Sequence, residues 1–168
     1  MHALHRILVY LPDIALGVAP TAADVREYAA EVTESYSDNV FDWREIDSAG
    51  RWSNAYPENV IFGRDSTLKI IKELVDVKAA IEGEIKRCVK LLHEETSTYD
   101  ISKIVSSKTS SLGKYYLQKI GLLYYGEYTF DSMFYNSHGY DSLITDELID
   151  NVKENPRDWA VALFDYHS

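Results

Sequence analysis

The chain has 168 residues, of which 46% are hydrophobic and 26% charged, and its formal net charge is −10. This length and composition are ordinary for one folded domain, and the apolar and aromatic content is too high for a disordered chain. The acidic balance argues against nucleic-acid binding and against docking on an anionic membrane, because both require Lys and Arg to meet phosphate groups.

The N-terminal third is predicted to contain a helix and short strands. Ile7–Leu11 is a β-branched apolar run of the kind found in buried strands. Thr21 can cap a helix that follows it and that should fade near Tyr36–Asn39. Val40–Asp47 has the alternating pattern of a half-buried strand, and Val60–Phe62 is a further short apolar run after a loop.

The strongest helical prediction is Asp65–Glu95, which would be about 45 Å long at 1.5 Å per residue. That length exceeds what a compact domain of this size needs. Gly83 costs roughly 1 kcal/mol in mid-helix, so the helix either bends or splits near Gly83, or it projects and finds a partner. Ser97–Ser111 reads as a polar linker with one helical turn. The apolar stripe of the long helix comprises Leu74, Ile81, Ile85, Cys88 and Leu92.

The C-terminal third is predicted to mix helices and strands. Leu112–Ile120 reads as a short helix, and Leu122–Phe130 as a strand that contains a bulge at a glycine. Thr145 can cap a helix over Asp146–Glu154. Trp159–Tyr166 is apolar on both faces, and a buried strand is slightly favoured over a short helix. We therefore expect one α+β domain over residues 1–168, with a mixed or antiparallel sheet of about four strands against one long helix and two or three shorter ones.

The N-terminus and the cysteine content indicate a cytoplasmic protein. Pro12 ends the first apolar run too early for a signal peptide, and no apolar run is long enough to span a membrane. The single cysteine, Cys88, excludes an intrachain disulfide and fits a reducing compartment. Because Cys88 lies within the apolar stripe of the long helix, we expect it to be buried.

The segment between Lys119 and Lys153 has no Lys or Arg over 33 residues but contains six carboxylates. Seven of the 13 tyrosines lie between residues 115 and 140. Tyrosine is enriched at interfaces, and an acidic surface steers a basic partner towards it. The alternative is that these tyrosines pack at a sheet edge, as their strand propensity allows. The predicted binding residues are Glu127, Tyr128, Asp131, Tyr135, His138, Tyr140 and Asp141.

A small metal-assisted, hydrolase-like enzyme is an alternative function. Carboxylate and imidazole ligands suit Mn, Fe or Zn and leave room for a reactive water. The alternative is that the same side chains are ordinary surface residues. The sequence has no HExxH motif, Cys/His cluster or phosphate-binding loop, so we predict no cofactor. The candidate ligands are Asp131, His138, Asp141, Asp165 and His167.

No catalytic signature is present, and this favours a non-catalytic binding or regulatory module. Its acidic, tyrosine-rich C-terminal surface would contact a basic protein. A third hypothesis is a structural subunit of a larger assembly, and self-association through the long helix is a related expectation.

Overall fold

The computed structural model describes residues 1–14, 17–34, 41–106 and 110–168. Within these ranges a five-stranded mixed sheet packs against helices on both faces, and this confirms the predicted α+β class. None of the described helices has the length and apolar character needed to cross a membrane. The strands are β1 His2–Tyr10, β2 Trp43–Glu45, β3 Val60–Phe62, β4 Phe134–Asn136 and β5 Trp159–His167. The described helices are α1 Ala22–Val32, α2 Gly63–Thr96, α3 Ile101–Ser106, α4 Ser111–Tyr125 and α5 Asp146–Glu154.

Strand β5 forms the centre of the sheet. It pairs antiparallel with β1 along its whole length, from His167 opposite His2 to Trp159 opposite Tyr10. On its other edge it pairs with β2 and then β3, both antiparallel, while β4 adds to β1 in parallel. Because a central strand is covered on both faces, its sequence is apolar throughout rather than alternating. The strand predicted over Trp159–Tyr166 is thereby confirmed.

The two faces of the sheet bury separate hydrophobic cores. Side chains alternate along a strand, so Leu4 and Leu8 of β1 lie in the core with α2 and α5, whereas Ile7 and Val9 lie in the core with α1.

Capping residues define the starts of two helices as predicted. Thr21 accepts a hydrogen bond from the Asp24 amide, and the Asp24 carboxylate accepts one in return from the Thr21 amide. The Thr145 hydroxyl accepts from the Leu148 amide at the start of α5. Each cap satisfies an amide that the helix cannot pair internally, and this is worth about 1 kcal/mol.

Helix α2 is 34 residues long, about 50 Å. It does not bend at Gly83, because the one non-helical conformation within it is at Ser66. Its N-terminal half packs on the sheet, and its C-terminal half packs antiparallel against α4, where Glu84 meets Lys119. Cys88 is fully buried, as expected. The helical arm is our name for the C-terminal half of α2, from residue 81 onwards, together with α3 and α4.

The strand predicted over Leu122–Phe130 is wrong. Helix α4 continues to Tyr125, and a 3-10 turn follows at Phe130–Ser132. The strand of this region is β4, which was not predicted and which is only three residues long, too short for an alternating pattern to stand out. The strand expected over Val40–Asp47 is limited to β2; Val40 and the expected helix end at Tyr36–Asn39 lie outside the described residues.

Candidate functional site

The last turn of α4 lies against the segment that follows β4. The helix ends at Gly126, whose φ of +75° is a left-handed conformation that favours glycine. The Ser142 amide donates to the Gly126 carbonyl at 2.7 Å. A Cβ atom at position 126 would lie 2.4 Å from Leu143 Cγ. Both the left-handed backbone and the close contact with Leu143 therefore require glycine at position 126. Residues 142–144 lie close against the end of α4.

Between this segment and the arm is a groove of about 230 Å³, which we call the arm groove. Sites that bind whole small molecules usually measure about 300–1,000 Å³. The arm groove is therefore better matched to one or two side chains of a partner than to a cofactor. Its lining residues are Lys78, Ile81, Glu82, Ile85, Leu123, Tyr124, Ser142, Leu143 and Ile144.

Ser142 gives the otherwise apolar groove a polar group. The residue is 4% exposed, and its hydroxyl has no hydrogen-bond partner within the described ranges. A buried hydroxyl that forms no hydrogen bond costs about 1–3 kcal/mol. The hydroxyl lies beneath the surface of the groove, so this cost is carried by the fold itself.

One carboxylate lines the arm groove, a second pairs with a lysine that lines it, and two more belong to residues next in sequence to Gly126 and Ser142. Glu82 lines the groove and is exposed. Asp146 accepts a hydrogen bond from the lining Lys78 at 2.7 Å, and this salt bridge lowers the pKa of the Asp146 carboxyl. Asp141 accepts from the Leu143 amide at 3.0 Å, and Glu127 directly follows the glycine that ends α4. We call Glu82, Glu127, Asp141 and Asp146 the acidic rim; with Lys78 their formal charge sums to −3.

Two tyrosines add exposed aromatic surface beside the rim. Tyr124 lines the groove and is 69% exposed, and Tyr125 is 76% exposed. Their rings contact each other edge to face, with 5.5 Å between centroids. Aromatic side chains that are already held against each other offer contact area at low entropic cost.

The predicted binding residues do not form one surface. Tyr128 and Tyr135 are both buried in the core on the α1 side of the sheet, with ring centroids 5.0 Å apart. Burial is the main reason that the pKa of Tyr128 is raised well above its usual value. Glu127 and Asp141 do not line the arm groove, but they are next in sequence to Gly126 and Ser142, which join α4 to the groove segment.

The other three predicted residues lie elsewhere. Asp131 forms a salt bridge with Lys119. His138 pairs with Asp13 at 2.9 Å, away from the arm. Tyr140 is 69% exposed, and burial, then Asp13, then Tyr140 raise the pKa of Tyr28 on α1.

Lys119 connects α4 to α2 and to the 3-10 turn that follows α4. Its ammonium contacts Glu84 at 2.7 Å and Asp131 at 2.9 Å, although the residue is only 8% exposed. Burial disfavours this charge, but the two carboxylates outweigh burial and raise the pKa of Lys119. Hydrogen bonds from Arg87 and then Lys119 lower the pKa of Glu84 to about 2. A lysine held as a cation in this way is a structural connection and not a nucleophile.

The five candidate metal ligands are spread over four places. Asp165 is buried and contacts His2 at 2.9 Å, while His167 contacts Asp42 at 2.6 Å at the same end of the sheet. Asp131 and His138 have the partners described above, and Asp141 directly precedes Ser142 of the arm groove. In the described part of the chain, no three His, Cys, Asp or Glu side chains are placed to hold one metal ion.

Most residues of the arm groove were not predicted from the sequence. Ile81 and Ile85 were recognised as part of the apolar stripe, but their partner Leu123 was assigned to a strand. A helical reading of the sequence would have placed Leu123 four residues after Lys119, on the face that meets α2. The contribution of Ser142 and Leu143 depends on a contact between α4 and a distant loop, for which the sequence has no local signal.

No protein-family model, curated protein or solved structure matches this chain.

Proposed function

We propose that this protein is a non-catalytic binding module that captures a basic protein segment at the acidic rim and seats one of its apolar side chains in the arm groove. The observation that carries the proposal is the arm groove itself, a largely apolar depression sized for a side chain, with the Glu82 carboxylate in its lining and the Asp146 carboxylate paired to its Lys78. Such a site distinguishes an apolar residue flanked by Lys or Arg from apolar residues in general.

The expected contributions of the groove and the rim differ. An apolar anchor buried in a pocket typically dominates affinity, and truncating it weakens binding by tenfold or more. Charges at a solvated rim act mainly on the association rate and lose their effect as salt screens them. Tyr124 and Tyr125 extend the contact area.

A synthetic peptide of alternating Leu and Lys residues is a suitable probe, measured by fluorescence anisotropy. We expect Leu143→Gln to weaken binding by at least about tenfold, since Leu143 walls the groove. Leu68→Gln is the matched control, because Leu68 lies on α2 away from the groove and is 84% exposed. Equal affinities for the two variants would contradict the proposal.

Charge reversal tests the rim separately. Glu82→Lys should weaken peptide binding several-fold at about 50 mM NaCl and much less at about 300 mM NaCl, where the Debye length is short. Glu154→Lys is the control, because Glu154 is an exposed carboxylate at the far end of α5. A loss of affinity that is the same for both variants would reflect net charge alone and would exclude a role for the rim.

A further inference from the structure

The outer edge of β3 presents main-chain groups that have no partner. Strand β3 pairs with β5 along one edge only. Residues of an antiparallel pair alternate between exchanging two hydrogen bonds with the partner strand and directing both groups away from it. The Leu163 amide donates to the Asn59 carbonyl at 2.8 Å, so Ile61 faces β5 as well. Val60 and Phe62 therefore face the outer edge. Among the described residues, nothing pairs with the Val60 N–H, the Val60 C=O or the Phe62 N–H.

A groove of about 280 Å³ lies along this edge, and we call it the edge groove. Its lining combines all of β3 with residues 56–58, which precede the strand, and with Asp65, Ser66 and Lys69 at the start of α2. The Val60 side chain packs in the core on the α1 side of the sheet, away from α2, so Val60 lines the groove with its backbone. The free main-chain groups thus face a groove between an edge strand and a helix.

The wall of the edge groove is held in place by a buried carboxylate. The Tyr56 hydroxyl, in the lining, donates to the Glu73 carboxylate at 2.6 Å, and Arg6 donates to the same carboxylate at 2.9 Å. Glu73 is only 5% exposed, so these contacts tie the loop before β3 to α2 and β1. A site that is formed before its ligand arrives loses less entropy on binding.

The two outer edges of the sheet differ in how they are protected. At the β4 edge, the Asn136 amide donates to the Asp141 carbonyl at 2.7 Å, so the chain covers its own strand. Exposed edges are commonly blocked by Lys, Pro or a bulge, and β3 has neither a charged residue nor a proline. Because β3 is short, a bound strand could pair only with its three free groups, and the groove would have to supply the remaining contacts.

We propose that the edge groove binds an extended peptide segment of a partner protein, which adds to β3 as a further antiparallel strand. One residue of the segment would exchange two hydrogen bonds with Val60, and the residue two positions before it would accept one from the Phe62 amide. In this mode main-chain hydrogen bonds give affinity, and pockets for alternate side chains give specificity. The side chain between these two residues lies opposite Ile61 and points, like Ile61, to the α2 side, so it enters the groove.

The lining sets the chemistry of that side chain. Glu58, Asp65 and Lys69 are exposed charged residues of both signs, and Ser66 adds a hydroxyl. This mixed polar lining favours a neutral polar residue such as Thr, which also has high strand propensity. A proline at either paired position is excluded, because it lacks the N–H or the extended backbone. The edge groove shares no lining residue with the arm groove, so this inference does not depend on the proposed function.

Amide hydrogen exchange measured by NMR tests the main-chain contact directly. The probe is a short peptide of alternating Thr and Val residues. In the free protein the Val60 and Phe62 amides should exchange faster than the Ile61 amide, which pairs with β5. Saturating peptide should slow exchange at Val60 and Phe62 by at least about tenfold and leave Ile61 unchanged. The control is the same peptide N-methylated at every backbone amide, which should give no protection.

Two substitutions at position 62 isolate one hydrogen bond. Phe62→Ala removes the side chain and keeps the amide, whereas Phe62→Pro removes both. The φ of Phe62 is −87°, near the value of proline, and its N–H lies outside the ladder, so proline is compatible with this position. We expect Phe62→Pro to bind the peptide several-fold more weakly than Phe62→Ala. Slow exchange at Ile61 shows that the sheet is intact in each variant.

Several outcomes would overturn the proposal. These are no binding at about millimolar peptide, binding without protection of Val60 and Phe62, and equal affinities of the two variants with an intact sheet. If Phe62→Pro does not keep the sheet, the exchange data of the wild type decide alone. Protection of Val60 and Phe62 that rises with protein concentration in the absence of peptide would mean that a second copy occupies the edge, and would exclude a separate partner. Leu143→Gln should bind the Thr/Val peptide like wild type, which separates this site from the arm groove.

Discussion

His5 should make the stability of this protein sensitive to mild acid. Its ring is fully buried and contacts four aromatic rings, and its Nδ1 atom lies 3.1 Å from the Tyr128 hydroxyl. Burial, and secondarily the charge of Arg6, lowers the pKa of His5 from 6.5 to about 3. The four rings belong to Phe41, Tyr128, Phe130 and Tyr166.

The size and sign of the effect follow from proton linkage. Between pH 6.5 and pH 3 the unfolded chain binds a proton at His5 and the folded chain does not, so stability is lost as the pH falls through this window. A pH of 5 is about 1.5 units below the pKa of His5 in the unfolded chain. At about 1.36 kcal/mol per unit, the loss relative to pH 7.5 is about 2 kcal/mol.

Urea unfolding at pH 7.5 and pH 5 measures this loss directly. The variant His5→Phe keeps an aromatic ring in the cage and removes the titrating group, so it should lose about 2 kcal/mol less than wild type over the same interval. Carboxylates contribute little above pH 5, because the ordinary pKa values of Asp and Glu, 3.8 and 4.5, lie below it. Comparing wild type with His5→Phe also cancels the pH dependence that comes from titrating groups present in both proteins.

The surface variant His138→Phe is the control for removing an imidazole outside the core, since the His138 side chain is 53% exposed. It should retain most of the wild-type pH dependence. If wild type and His5→Phe lose the same free energy between pH 7.5 and pH 5, burial of His5 is not the source of the acid sensitivity and the reasoning is refuted.

Three further substitutions have expected effects on urea stability. Gly83→Ala should stabilise by about 0.5–1 kcal/mol, because an added Cβ would meet nothing within 4 Å and alanine favours the helix; a destabilised variant would contradict a continuous α2. Gly126→Ala should destabilise by about 1–3 kcal/mol, because its Cβ would overlap Leu143 in a left-handed conformation; wild-type stability would contradict that contact. Lys119→Met should destabilise by about 2–3 kcal/mol by leaving Asp131 without its cation, and Lys114→Met, at an exposed lysine on the same helix, should have almost no effect.

Elements whose defining interactions lie within a few residues were predicted correctly from the sequence. Thr21 and Thr145 mark helix starts because a capping hydroxyl needs only an amide two or three residues later. The run Trp159–Tyr166 identified the central strand because burial on both faces removes polar residues from a strand. Each of these features depends on chemistry within a few residues, and each was predicted correctly.

Elements that depend on distant contacts were not predicted. Tyr124 and Tyr125 have high strand propensity, yet they belong to α4, which packs along α2 over several turns. Tertiary packing of this kind routinely overrides local propensity. For the same reason, tyrosine density did not identify the surface: Tyr128 and Tyr135 fill the core, whereas Tyr124 and Tyr125, outside the predicted set, are exposed.

In the structure, part of the negative charge in the segment without Lys or Arg is paired with lysines from outside the segment. Asp131 is neutralised by Lys119, one residue before the segment begins, and Asp146 by Lys78, 68 residues away in sequence. The acidic character of the segment is thus partly compensated by the long helix and its partner. Asp150 pairs with Lys153, which follows the segment.

Glu127, Asp141 and Glu147 are the carboxylates of the segment that have no salt bridge with any described Lys or Arg. Glu147 has its own structural reason, because it lies in the first turn of α5, where the helix favours a negative charge. Glu127 and Asp141 have no such reason, and they are next in sequence to Gly126 and Ser142, so charge reversal at these two positions is the part of the binding proposal that the fold itself does not explain.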